Sequence, residues 1–398
     1  MKPLAGIRVI ELGQLLAGPF CGTMLAYFGA EVIKVEPPKT GDPLRGWRLL
    51  DETGTAFWWR SLGRNKKCVT LDLKQEKGRE LVRDLIKSAD VVIENFRPGM
   101  MEEWGMSYED LKQLNPNIIF ARISGYGQSG PYSTKPGFAS VCEGFSGFRS
   151  VNGYPGEPPV RPNLSLGDTM AGIHAFMGIL MALLHKERHP TMASGQVVDV
   201  AIYESIFNLL EGIVPEFSGA GEIRQPSGTT ITGIVPTNTY RTKDAKFVVL
   251  GGNGDSIFKR LMKVIGREDL ANDPQLQVNA GRVERVDELD EVLATWCTQN
   301  NRDDILQAMA EARVPAGPIY NVGDMMADEH FQARELFETI EINGKSLDIP
   351  AIMPKLSETP GSTEWPGGDI ASHNQEVFGD ILGLSDAELN DLKKQAVI

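Results

Sequence analysis

Ile7-Arg-Val-Ile-Glu-Leu12, Gly13-Gln-Leu-Leu-Ala-Gly-Pro19, the stretch from Cys21 to Phe28, and Ala30-Glu-Val-Ile-Lys-Val-Glu36 follow one another near the start of the chain. The first and last are runs of branched apolar residues and read as strands. Between them lie a glycine-bounded turn and a helix, and Pro37-Pro38 stops the second strand. Strand, helix, strand at this spacing is a crossover unit, which places its two strands parallel. The alternation continues. Cys68 to Leu73, Ala89 to Glu94 and Ile118 to Ser124 read as three more strands, with helices over 76–88 and 107–114. Ser107 opens the second helix with Asp110 three residues on, a capping pattern. The pattern predicts an α/β fold: a parallel sheet covered by helices, with ligands at the carboxyl ends of the strands.

Further along, 168–186 reads as a helix rich in small and apolar residues, and 199–218 as another. A proline- and glycine-rich linker follows over 221–238. Thr239 to Arg241 and Lys246 to Leu250 then form a hairpin, with helices near 255–265, 286–300 and 302–312. These read as a smaller α+β domain over 239–313. Val314 to Tyr320 returns to strand, and 314–398 rejoins the large domain of 1–220, ending in a helix from Asp386 to Lys394.

Composition narrows the function. The 398 residues carry 40 basic and 53 acidic side chains, a net charge of −13. That balance argues against a nucleic-acid partner, whose footprint is a basic excess. It leaves room for a small anion, since a local basic pocket can sit on an acidic body. Cys21, Cys68, Cys142 and Cys297 lie far apart, with no C-x-x-C pair and no histidines at zinc spacing. They read as reduced core thiols, and no metal site is expected. The start shows no signal peptide, and the longest unbroken apolar run, Ala175 to Leu184, is too short to span a bilayer. A cytoplasmic protein with no membrane partner is expected.

Four stretches carry candidate chemistry. Gly13 to Gly18 after the first strand, with Glu36 closing the second, imitates a dinucleotide loop. Its two glycines stand five apart with leucines between, so the G-x-G-x-x-G spacing fails and a nucleotide-dependent dehydrogenase is disfavoured. Glu94-Asn-Phe-Arg-Pro-Gly99 ends a strand with groups that can bond phosphate or adenine and stack on a base, or it is a turn with a surface arginine. Ser124-Gly-Tyr-Gly-Gln-Ser-Gly-Pro131 exposes backbone amides that can hold an anion or a carbonyl, or is an ordinary glycine loop. Leu166-Gly-Asp168 opens the small-residue helix. Asp168 is there either a helix cap or a nucleophile kept ionised by the helix dipole, with Gly167 and Gly172 admitting a ligand.

Taken together and in order, these motifs resemble the family III CoA-transferases, the formyl-CoA and carnitine CoA-transferase family. Leu4 to Leu12, Leu16-Ala-Gly-Pro19, Gly29 to Glu36, Asn65 to Lys74, Gly195 to Ala201 and Val314-Pro-Ala-Gly-Pro318 extend the likeness over the whole chain. The resemblance implies a Rossmann-like large domain with a smaller α+β domain, and two chains interlocked as a homodimer. It implies no permanently bound cofactor: coenzyme A arrives as the acyl-CoA substrate, with a carboxylic acid as acceptor. Asp168 matches the aspartate that attacks the thioester, through aspartyl anhydride and aspartyl-CoA thioester intermediates. Leu16, Lys74, Asn95, Phe96, Arg97, Ser124, Gly125 and Tyr126 match positions that contact CoA, and oxyanion donors are expected around Gly125 to Gly127 or at the helix start.

The chain also departs from relatives. Leu16 stands where the formyl-CoA branch has glutamine, only Gly251-Gly-Asn-Gly254 answers that branch's glycine run, and Glu103-Trp104 occupies a stretch that is often basic. An α-methylacyl-CoA racemase of the same fold would carry Gly-His-Asp where this chain has Gly137-Phe138-Ala139, and phenylalanine can neither donate nor take a proton. Pro158-Pro-Val-Arg-Pro162 and Gly233-Ile-Val-Pro-Thr237 resemble the branch acting on succinyl-CoA and dicarboxylates, with Arg161 or Arg241 available for a distal carboxylate.

Overall fold

The computed structural model describes residues 1–191 and 195–398. It divides into two compact units: residues 1–148, 161–211 and 334–398 form the larger, and 149–160 with 212–333 the smaller.

Six parallel strands build the larger unit: β1 (Arg8–Glu11), β2 (Glu31–Glu36), β3 (Lys66–Thr70), β4 (Val91–Glu94), β5 (Ile119–Ser124) and β6 (Val197–Ala201). Their spatial order is β3-β2-β1-β4-β5-β6, so strand order reverses between β1 and β4. Val9, Ile10, Val32, Ile33, Val91 and Val92 are fully buried. Helices cover both faces, which is why these strands read as continuous apolar runs. One face takes α1 (Ala17–Tyr27) and α5 (Leu166–Arg188). The other takes α2 (Glu76–Ile86) and α3 (Tyr108–Leu114), whose Ser107–Asp110 capping box is formed. Two shorter helices, α4 (Ala139–Phe145) and α6 (Ile202–Phe207), lie near the start of α5.

α5 buries Gly167, Ala171, Gly172, Ala175, Ile179 and Ala182. A Cβ on Gly172 would stand 2.9 Å from the Ala17 carbonyl oxygen, and one on Gly167 3.1 Å from Ile202. Gly167 and Gly172 therefore admit neighbouring protein, not a ligand as their sequence setting implied. At 23 residues α5 is long and apolar enough by composition to cross a membrane, more than the Ala175–Leu184 run indicated. Its small-residue stripe instead seats it on α1 and the sheet.

Two sequence readings change here. The expected helix over 199–218 is instead edge strand β6, then α6, then a separate helix at Ile213–Ala220. Branched Val197, Val198 and Val200 suit the strand that pairs with β5. The expected return at 314 comes later, at Arg334. In the smaller unit, β7 (Thr237–Arg241) and β8 (Phe247–Gly251) form the hairpin, and β9 (Ala316–Pro318) adds to β8 as a third antiparallel strand.

Candidate active site

A cavity of about 680 Å³ lies at the carboxyl edge of the sheet, where the strand order reverses. This is where an open α/β sheet binds its ligands, because the loops after β1 and β4 diverge there. Leu15 to Ala17 follow β1, Asn95 to Pro98 follow β4, and Ser124 and Gly125 end β5; all line it. Lys135 to Ser140, Arg161, Ser165 and Asp168 complete the wall, and Asp168 is the one acidic residue among the lining residues.

The turn after β1 is held by side chains from three directions. Lys34 bonds the Gly13 carbonyl oxygen. Asn95 accepts from Gln14 N at 2.7 Å and donates to Gln14 O at 2.9 Å. Both Asp42 carboxylate oxygens accept from Leu15 N at 3.1 Å, holding Leu15 at φ 64°. Beneath the turn lies a charge-balanced buried set: Lys34 pairs with Asp42 at 2.8 Å and Glu11 at 3.2 Å, and Lys66 with Glu11 at 2.9 Å. Burial alone would pull Lys34 down, but Asp42, Glu11 and Glu36 outweigh it and hold its pKa above the ordinary value. Lys66 lies below its ordinary value, chiefly through burial. Lys34 and Glu11 do carry a sequence signal, a charge set inside an otherwise apolar strand.

Asp168 is the third residue of α5, and Ser165 occupies the N-cap, so the capping role does not fall to Asp168. Glu143, fully buried on α4, accepts from Gly167 N at 3.3 Å and lies 3.5 Å from Arg161 Nε. Burial, then the Glu143 carboxylate, push Asp168 up to about 6, against the pull of Arg161. The dipole does not hold Asp168 at an ordinary acidity, yet the group remains mostly ionised at neutral pH. Glu143 has no local sequence signal, because only the packing of α4 on α5 brings it there.

Leu16, Asn95, Phe96, Arg97, Ser124, Gly125 and Asp168 share this cavity. Lys74 lines a second one, of about 550 Å³, with Glu36 to Thr40, Leu71 to Gln75 and Trp104. Phe96 lines both, packed edge-on against Trp104 at 5.2 Å. Tyr126 lines neither; its ring joins Tyr132, Phe145 and Tyr203. Of the amides expected as oxyanion donors over Gly125 to Gly127, that of Gly127 is already engaged by Ser124 Oγ, and the next one, Gln128 N, donates to Asp199. Leu16, the N-cap of α1, makes no side-chain cap bond; Pro19 has no N–H and Phe20 N bonds the Leu16 carbonyl, so among the described residues the first-turn amides without a hydrogen-bond partner are those of Ala17, which lines the cavity, and Gly18. Arg97 is exposed and pairs loosely with Glu103 at 3.5 Å.

Residues 4–374 match the pattern of CoA-transferase family III. The chain is 43% identical over 398 residues to succinyl-CoA–D-citramalate CoA-transferase of Chloroflexus aurantiacus, covering 100% of this chain and 98% of that protein. It is 34% identical to succinate–glutarate CoA-transferase of Agrobacterium fabrum, over 95% of this chain and 96% of the other. The crystal structure of a CaiB/BaiF family protein from Brucella suis superposes with a TM-score of 0.84 at 31% identity, covering 96% of this chain and 99% of that one. With the six-stranded sheet, the cavity at its switch point and a sequence match over nearly the whole length, the chain belongs to CoA-transferase family III.

Proposed function

We propose that this CoA-transferase moves CoA from succinyl-CoA to a dicarboxylic acid, with Asp168 as the nucleophile. The observation that carries this reading is that Asp168 is the one carboxylate lining the cavity at the sheet's switch point. The named activities of the Chloroflexus and Agrobacterium relatives supply the donor and acceptor class.

The Asp168 carboxylate attacks the thioester carbonyl, the C–S bond breaks, and CoA leaves as thiolate from a mixed anhydride. The thiolate then attacks the aspartyl carbonyl, which releases the first acid and leaves aspartyl-CoA thioester. The acceptor carboxylate displaces CoA through a second anhydride. Thiolate attack on the acceptor's acyl carbon then restores Asp168. A carboxyl raised to about 6 is a stronger base than ordinary aspartate, and so a better nucleophile while still ionised. Free amides in the first turn of α1 supply donors for the developing oxyanions. Acyl and pantetheine portions would occupy the first cavity, and the nucleotide portion the second, past Phe96 toward Lys74. The exposed Arg97–Glu103 pair is worth little, which frees Arg97 for a phosphate.

Trapping tests this. Succinyl-CoA with hydroxylamine or borohydride should mark Asp168, read by peptide mass. An unlabelled wild type, together with an Asp168→Asn variant that retains transfer, would sink the reading. Racemisation finds no support, since Phe138 lines the cavity without a proton to exchange; solvent deuterium entering a 2-methylacyl-CoA without acceptor would reverse that ranking. The interlocked homodimer belongs to the same proposal, and light scattering should return twice the 43.7 kDa chain mass.

A further inference from the structure

We infer that Arg161 anchors the substrate's second carboxylate and so sets the preference for dicarboxylic acids. The inference rests on the dicarboxylate reading above and names the residue responsible. Three cations line the cavity: Arg97, Lys135 and Arg161. Arg97 lies after β4 beside Glu103, on the side given to CoA. Lys135 Nζ sits 3.4 Å from the centre of the Tyr132 ring. Arg161 is tied to the nucleophile's own helix: one Glu143 oxygen takes Gly167 N, next to Asp168, and the other faces Arg161 Nε. A single carboxylate thus spaces the guanidinium from the backbone beside Asp168.

That placement suits a short diacid. When its near carboxyl reacts at Asp168, its far carboxylate must rest within a few bonds. The surroundings already hold the charges of Asp168 and Glu143, so an unpaired third carboxylate would be repelled. Arg161 meets Glu143 most closely through Nε, and among the described residues Nη1 and Nη2 donate no hydrogen bond. These two nitrogens form the fork that grips a carboxylate in bidentate fashion. The side chain is about half-exposed, so a substrate can reach it (45% exposed). Arg241, the other arginine open from sequence, lies on β7 of the smaller unit and does not line this cavity. Because the reaction is an exchange, the free carboxylate of a succinyl donor would use the same anchor before the acceptor arrives.

Matched acids test the inference. With succinyl-CoA as donor, kcat/KM is measured for glutarate and for valerate, which share a chain length, in wild type, Arg161→Gln and Arg161→Lys. The preference for glutarate over valerate should fall on the order of 10–100-fold in Arg161→Gln, mainly through KM, as loss of a charged hydrogen-bonded pair implies. Arg161→Lys should recover part of it. The ratio of the two acids cancels any loss of folded protein or of Asp168 reactivity. If Arg161→Gln lowers both acids equally, or keeps the wild-type preference, the anchor is wrong while the dicarboxylate reading stands. A wild type that uses valerate as well as glutarate, or neither, overturns the dicarboxylate reading and the anchor together.

Discussion

Asp168 faces two demands that oppose each other. Its carboxyl normally titrates near 3.8 and is held at about 6 in the fold, first by burial and then by Glu143. Between those values the folded chain binds more protons at this site than the unfolded chain. Stability therefore falls as pH rises through that window, and at neutral pH the charged form costs about 3 kcal/mol. Asp168→Asn should accordingly raise the melting temperature at pH 7 while abolishing transfer, a pairing that calorimetry and a rate assay read together. For catalysis the sign is reversed, because only the ionised carboxylate attacks. The acyl-transfer kcat/KM should climb through about pH 6 and then level off. Arg161→Gln should move that midpoint upward, since Arg161 is the group pulling it down. Asp168 itself was legible from Leu-Gly-Asp at a helix start. Its altered acidity was not, because Glu143 comes from another helix and owes its burial to tertiary packing.

The turn from Gly13 to Ala17 shows the same division at the scale of an element. Its glycine boundary and its place after a strand were plain in the sequence, and so was the failure of the dinucleotide spacing. What holds it was hidden, because Asp42 and Asn95 reach it from loops after two other strands. Asn95, read from sequence as a ligand contact, spends both ends of its amide on Gln14. The positive φ of Leu15 is a strained setting for a leucine, kept by Asp42. Asp42→Ala removes that acceptor and leaves Lys34 with one fewer counter-charge in a dry core. Urea unfolding should show a loss of about 3–5 kcal/mol, the range for a broken buried pair. The double variant Lys34→Met, Asp42→Leu should lose less than Asp42→Ala alone, since it strands no charge. An equal or larger loss would mean that Asp42 acts through Leu15 rather than through Lys34.

For the molecule as a whole, a change of pattern after residue 220 pointed to a smaller unit, but that unit begins at Gly212, includes the stretch read as a linker and also takes in 149–160. Its later edge was missed because Ala316–Pro318 is a strand of three residues, recognisable only once β8 is there to pair with it. Charge poses the larger question. A body with a net charge of −13 repels a polyphosphate ligand at long range, while Arg97, Lys74 and Lys39 line the two cavities and attract it at contact. Salt screens the distant charges first, beyond a Debye length of about 10 Å, and touches close pairs less. Raising salt from low to physiological strength should therefore leave kcat/KM for acyl-CoA level or slightly higher. Arg97→Ala should lower it by about tenfold or less, as suits one exposed charged contact, with the acceptor's KM little changed. Initial rates over a salt series check both. A steep fall in wild type, of the kind seen when many phosphates are neutralised at once, would mean that the cavities' cations govern the approach as well as the contact.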